Sequence, residues 1–175
     1  MASAAGLGNG AAPAPDHHLV QLARWVALLL PMSLLAGALG SEKIGGLVPC
    51  EMCHWQRWPH YAAVGLAALS FAARGRPAGR LLVALAAAAI AVSGLIGVYH
   101  AGVELGIFQG VSACTTTARA GSTEELLKAI LATPLVRCDQ VQFSFLGISM
   151  AGWNAIISLG GAAAIAALLA RGRRA

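Results

Sequence analysis

The run LLVALAAAAIAVSGLIGVY, residues 81–99, carries no charged side chain. As a helix it extends about 29 Å, close to the ~30 Å hydrocarbon core of a bilayer. Its length and unbroken apolarity predict a transmembrane helix, with Gly94 and Gly97 admitting a neighbouring helix at close range. The whole chain agrees. Of its 175 residues 58% are hydrophobic and 11% charged, against about 25% charged in a soluble domain. Twelve basic and seven acidic residues cannot cover a soluble fold of this size.

Working outward, three further apolar segments appear. One runs from Leu19 to Leu39, with Arg24 near its start and Pro31 inside, where a kink is expected. A second runs from Trp58 to Ala73 and reaches 20 residues if it begins at His54. The last runs from Phe145 to Ala170, with Asn154 as its only strongly polar side chain, placed to hydrogen-bond between helices. The fold expected is all-α, a four-helix transmembrane bundle over residues 19–170. Residues 1–18, rich in Ala, Gly and Pro, form an expected disordered tail, without the basic start of a cleaved signal peptide.

Charge placement orients the bundle. Arg74, Arg76 and Arg80 fill one connection, and Arg171, Arg173 and Arg174 mark the basic tail at 171–175. The positive-inside rule puts both, and both termini, in the cytoplasm. Outside then lie a short loop, about 41–53, and a long one, about 100–144. The long loop has three basic and four acidic residues, a balance of 3 − 4 = −1. The net charge of +5 sits at the ends of apolar runs rather than in a stripe with aromatics, so no nucleic acid is expected as partner. Within the long loop, Ser122-Thr123-Glu124-Glu125 has the form of a capping box. It precedes a Leu126, Leu127, Ile130, Leu131 stripe that ends at Pro134, predicting a short amphipathic helix on the membrane surface.

The chemistry concentrates in Pro49-Cys50-Glu51-Met52-Cys53-His54-Trp55-Gln56-Arg57-Trp58. If a helix begins near Cys53, Arg57 falls one turn along the same face, and its charge and the helix N-terminus both favour thiolate at Cys53. The four cysteines allow three pairings. All four fall on the outer side, an oxidising compartment in a bacterial envelope. Two pairs suggest themselves there, tight Cys50–Cys53 and looser Cys114–Cys138. Together they read as a relay of thiol–disulfide exchange.

These features resemble the DsbB family, quinone-dependent oxidases of the bacterial inner membrane that regenerate disulfides in periplasmic DsbA-type proteins. The resemblance rests on Pro49-Cys50-x-x-Cys53 with Arg57, on Tyr99-His100, on Cys114, and on Cys138 followed by Phe143-x-Phe145-Leu146-Gly147-x-x-Met150 and Trp153-Asn154. It implies that a reduced DsbA-like partner attacks Cys114–Cys138 through Cys114 and that Cys138 exchanges with Cys50. Cys53 then passes electrons to a quinone, ubiquinone or menaquinone, drawn from the membrane pool. Arg57 would steady the negative charge, and His100 matches a histidine near the family's quinone site.

Other readings compete. Cys50-Glu51-Met52-Cys53-His54 has the C-x-x-C-H form of c-type haem attachment, which leaves Cys114 and Cys138 unexplained. A four-cysteine zinc site conflicts with an oxidising exterior and a single close pair, so no metal is expected. A non-catalytic scaffold with structural disulfides leaves Arg57 without a use. A vitamin K epoxide reductase-like enzyme usually carries its Cys-x-x-Cys late in the chain, and here it comes early. Trp55, Trp58 and Tyr61 read as an interfacial aromatic belt, and His60 as a packed residue.

Overall fold

The computed structural model describes residues 17–110, 124 and 136–172. Four long helices dominate: α1 (His17–Lys43), α2 (Glu51–Ala72), α3 (Pro77–Glu104) and α4 (Met150–Arg171). A two-residue hairpin, β1 (Ser144–Phe145) with β2 (Ile148–Ser149), leads into α4. α1, α3 and α4 are each long and apolar enough to cross a membrane. α2 carries Glu51, His54, Gln56, Arg57 and His60 in its first half and is less apolar.

The helices pack in a ring, α1 on α2, α2 on α3, α3 on α4 and α4 back on α1. The centre is built from small side chains, with Ala23, Ala27, Ala63, Ala67 and Ala86 buried around Val83, Ile90 and Ile165. Lipid tails are as apolar as leucine, so helices in such a chain gain from close backbone contact more than from burying bulk. The same need explains the α3 glycines. A Cβ at Gly94 would lie 2.8 Å from Leu159, and one at Gly97 would lie 3.0 Å from the Ala151 carbonyl oxygen. Gly94→Val is expected to push α3 from α4 and destabilise the protein by about 1–3 kcal/mol, read as a lowered Tm in detergent; an unchanged Tm would contradict this packing.

The ends of the ring differ. At one, Arg80 donates to the Leu169 and Gly172 carbonyl oxygens at 2.8 and 3.1 Å, satisfying the open end of α4. Buried Arg24 lies beside Gly79 at this end. The described cysteines, Cys50, Cys53 and Cys138, gather at the other.

The helices overrun the apolar segments that announce them. α1 continues unbroken through Pro31 to Lys43 and α3 reaches Glu104. α2 starts at Glu51, with Cys50 as its N-cap, a little before the start placed near Cys53. Residues 145–149, read from sequence as the start of the last span, form the hairpin and the cap of α4 instead. Leu146 (φ 53°) and Gly147 (φ 77°) make its two-residue turn, and the Ser149 hydroxyl caps α4 by accepting from Gly152 N–H. Residues 1–16, Cys114 and, apart from Glu124, the predicted amphipathic helix lie outside the described residues.

Candidate active site

The N-terminus of α2 presents its sulfurs by capping. Cys50 takes an extended backbone and its Sγ accepts from the Cys53 N–H at 3.3 Å, meeting one of the open donors of the first turn. This brings the sulfurs of Cys50 and Cys53 to 2.9 Å, both as free cysteines. Cys50 is buried and Cys53 half-buried. Both precede the apolar part of α2.

Two such close sulfurs share one proton unequally. The Cys50 thiol, donating to Cys53 and buried, is pushed well above the ordinary thiol range. Cys53 is held below it, first by that hydrogen bond and, as a smaller cause, by the charge of Arg57. Of the reduced pair, Cys53 is therefore the sulfur that ionises first. In protein reduced at this pair, Cys53 is expected to be alkylated at neutral pH ahead of Cys50, with a midpoint below the ~8.5 of an ordinary thiol. Mass spectrometry showing Cys50 modified first would reverse the assignment.

Arg57 is buried one turn beyond Cys53 and is held in place from α1. It pairs with the Glu42 carboxylate and donates to the Ala38 carbonyl oxygen at 3.3 Å. Part of its charge is thus balanced by a carboxylate, which explains its secondary influence on Cys53.

His100, 3% exposed near the end of α3, is the hub. Its Nε2 lies 3.6 Å from Cys50 Sγ and 3.9 Å from Glu104 Oε1, and its Nδ1 lies 2.7 Å from Gln56 Nε2. The Cys138 backbone is within its hydrogen-bonding reach. Cys138 is disulfide-bonded and buried in one cluster with Cys50, Met52 and Val103. The structure therefore brings together Cys50, Cys53, Arg57, His100 and Cys138.

Beneath the sulfurs a buried polar chain runs down the middle of the ring. Gln56 Oε1 accepts from Asn154 Nδ2 at 2.7 Å, and Asn154 Oδ1 lies 3.0 Å from His60 Nε2. Ser93 donates to the Gln56 carbonyl oxygen at 2.7 Å and also meets His60. Asn154 thus joins α4 to α2 and α3. Placing the Gln56 amide nitrogen against His100 Nδ1 makes that ring nitrogen the acceptor and leaves the proton on Nε2, facing sulfur and carboxylate.

A cavity of about 260 Å³ opens beside this hub, lined by Cys53, Arg57, His60 and His100 on one side and by Phe145 and Trp153 on another. His60 belongs to its wall, though its Nδ1 is buried and without a hydrogen-bond partner among the described residues.

Sequence reasoning did not single out Glu42, Gln56 or Glu104. Glu104 had a readable signal, standing four residues after His100 on one helix face. Gln56, three residues after Cys53, had a weaker one. Glu42 had none, because the turn that brings it to Arg57 has no distinctive motif.

The family model described as disulfide bond formation protein DsbB matches residues 20–168. Disulfide bond formation protein B of Marinobacter nauticus is 33% identical over 149 residues, covering 76% of this chain and 83% of that one. An uncharacterized protein of Rickettsia prowazekii is 24% identical over 137 residues, covering 77% and 78% of the two chains. No solved structure matches the chain. A family match over nearly all of the four-helix ring, Cys50, Cys53 and Cys138 included, settles the relationship: this chain belongs to the DsbB family.

Proposed function

We propose that the chain is a thiol:quinone oxidoreductase that spans the inner membrane four times, with α2 as the fourth span, both termini cytoplasmic and its cysteines periplasmic. It re-oxidises a DsbA-like dithiol protein. The observation that carries this reading is the free Cys50–Cys53 pair on the wall of a cavity shared with Arg57 and His100, with disulfide-bonded Cys138 packed against Cys50.

The relay has a defined order. A partner thiolate attacks Cys114, releasing Cys138 as a thiolate while the partner becomes linked through Cys114. The partner's second thiol displaces Cys114 and leaves with a disulfide, two electrons and two protons poorer. Cys138 next attacks Cys50 of the oxidised rim pair and frees Cys53, and Cys114 closes on Cys138. Burial of Cys50 and Cys138 in one cluster supports that exchange, and the low thiol pKa of Cys53 makes it the better leaving group.

The cavity fits a flat ring with oxygen substituents. Its volume lies just under the ~300 Å³ at which ligand clefts begin, enough for a headgroup whose isoprenoid tail stays in lipid. Aromatic walls suit the ring faces, while Arg57 and His100 Nε2–H offer polar contacts. A bound quinone supplies the acceptor for two electrons and two protons. Around it, Cys53 faces the cavity as the sulfur nearest its charged state, Arg57 holds negative charge, and His100 holds a proton at Nε2.

Arg57→Ala is expected to lower quinone reduction about 10²-fold, as for loss of one charge-stabilising donor at an active site, with Arg57→Lys recovering part. Unaltered kinetics in a folded Arg57→Ala protein would return Arg57 to an ion pair with Glu42 alone. The reading itself is tested by anaerobic turnover with a reduced DsbA-type protein and ubiquinone-1, where one quinol should form per partner disulfide. Partner oxidation without quinol, or neither product, would reject it.

A further inference from the structure

A second chemistry is available to the same sulfurs once they are reduced. Cys50 Sγ, Cys53 Sγ and a ring nitrogen of His100 all lie within 4.8 Å of one another. They come from two helices, the start of α2 and the end of α3, so the donors are fixed by the bundle rather than by one loop. Cys50 Sγ and His100 Nε2 are 3.6 Å apart. That is the separation of a sulfur and a nitrogen on one tetrahedral ion, given bonds of about 2.3 and 2.0–2.1 Å. The two sulfurs, 2.9 Å apart, must open to about 3.8 Å on the same arithmetic. A χ1 adjustment of half-buried Cys53 supplies that movement.

Glu104, one helical turn beyond His100, lies outside that group of three and would have to move in to complete a fourfold site. The Glu104 side chain is 8% exposed, its Oε1 lies 3.9 Å from His100 Nε2, and its Oε2 is buried without a hydrogen-bond partner among the described residues. A buried carboxylate oxygen lacking a donor is costly, and a cation bound at this point removes the cost.

We propose that the reduced Cys50–Cys53 pair, with His100 and Glu104, is a binding site for one soft divalent cation of the zinc or cadmium type. Binding displaces one proton: the Cys50 thiol, the Cys53 thiolate and M²⁺ give a metal dithiolate and H⁺, with no change of oxidation state. Ligation through Nε2 moves the imidazole proton to Nδ1, which the Gln56 amide can accept only if it turns over together with that of Asn154, its partner at 2.7 Å. The site exists only in the reduced state, because a Cys50–Cys53 disulfide has no thiolate to offer. An occupied site holds both sulfurs and denies them to electron transfer, so soft metals act on this protein as inhibitors selective for its reduced form.

The test uses the full chain carrying Cys114→Ser and Cys138→Ser, so that Cys50 and Cys53 are its only thiols. Cadmium chloride alone is titrated anaerobically into reduced protein in detergent. A thiolate-to-cadmium ultraviolet absorption saturating at one ion per chain is expected, with no such band after oxidation. Adding His100→Ala should weaken binding at least about tenfold. X-ray absorption at the cadmium edge of the parent, which needs no further substitution, should show two sulfurs with lighter nitrogen or oxygen ligands. All-sulfur coordination would overturn the proposal, as would an affinity indifferent to a folded His100→Ala change or equal binding by oxidised protein. The titration contains neither quinone nor partner, so its failure is separate from failure of the oxidoreductase reading.

Discussion

Cys53→Ser is expected to reduce quinone reduction to the uncatalysed background, a loss of at least about 10⁴-fold, as for removal of a reacting nucleophile. The helix cap sets the two sulfurs apart. Cys50 is buried, capped onto the Cys53 N–H and pushed toward the thiol form, so it is poorly disposed to give up electrons. Cys53 is held toward thiolate and faces the cavity with Arg57 and His100. Serine keeps the size and the helix but cannot form a disulfide. The fold should therefore survive while the acceptor step stops. Stopped-flow absorbance of quinol formation measures it, and turnover within tenfold of the parent would remove Cys53 from the role of donor.

Cys138→Ser is expected to have a comparably large but different effect. Cys114 is left as a free thiol that offers a reduced partner no disulfide to attack, so oxidation through the relay stalls, while Cys114 can still exchange into a mixed disulfide that the partner already carries. Incubation of the Cys138→Ser protein with a DsbA-type protein whose second active-site cysteine is replaced, and whose first carries a thionitrobenzoate mixed disulfide, should yield a covalent heterodimer on non-reducing gels in most of the molecules, the Cys114 thiolate displacing thionitrobenzoate. The adduct should vanish when Cys114 is also replaced. Accumulation through Cys50 instead would mean that the partner reaches the rim pair directly, against the burial of Cys50 at 4% exposure.

Much of this architecture was legible in residues. Segments such as 81–99 need no tertiary information, because an uncharged run of that length has few stable places outside a membrane. Gly94 and Gly97 announced a close helix contact, and α4 meets them. The spacing of Cys53 and Arg57 implied a shared helical face, and α2 provides it. Capping residues are usually Ser, Thr, Asp or Asn, so a cysteine cap at Cys50 was less visible and the helix starts earlier than its neighbours suggest.

What stayed hidden depends on pairing across distance. Nothing local says that Gln56 meets Asn154, 98 residues away, or that Arg57 finds Glu42 across the first turn. Apolar runs announce which segments pack, but the few polar residues inside them are aimed by helix rotation, which a weakly amphipathic sequence does not fix. The hairpin at Leu146–Gly147 was masked for a related reason. Its apolar residues continue the hydrophobicity of the following helix, and only Gly147 hints at a turn.

The central step is isolated by a single turnover without any partner. Protein carrying Cys114→Ser and Cys138→Ser is reduced, freed of reductant, and mixed anaerobically with one equivalent of ubiquinone-1 while quinol and free thiols are both counted. One quinol should form as two thiols are lost from each chain, with Cys50–Cys53 recovered as a disulfide. Quinone left unreduced by a folded protein whose two thiols persist would contradict that step.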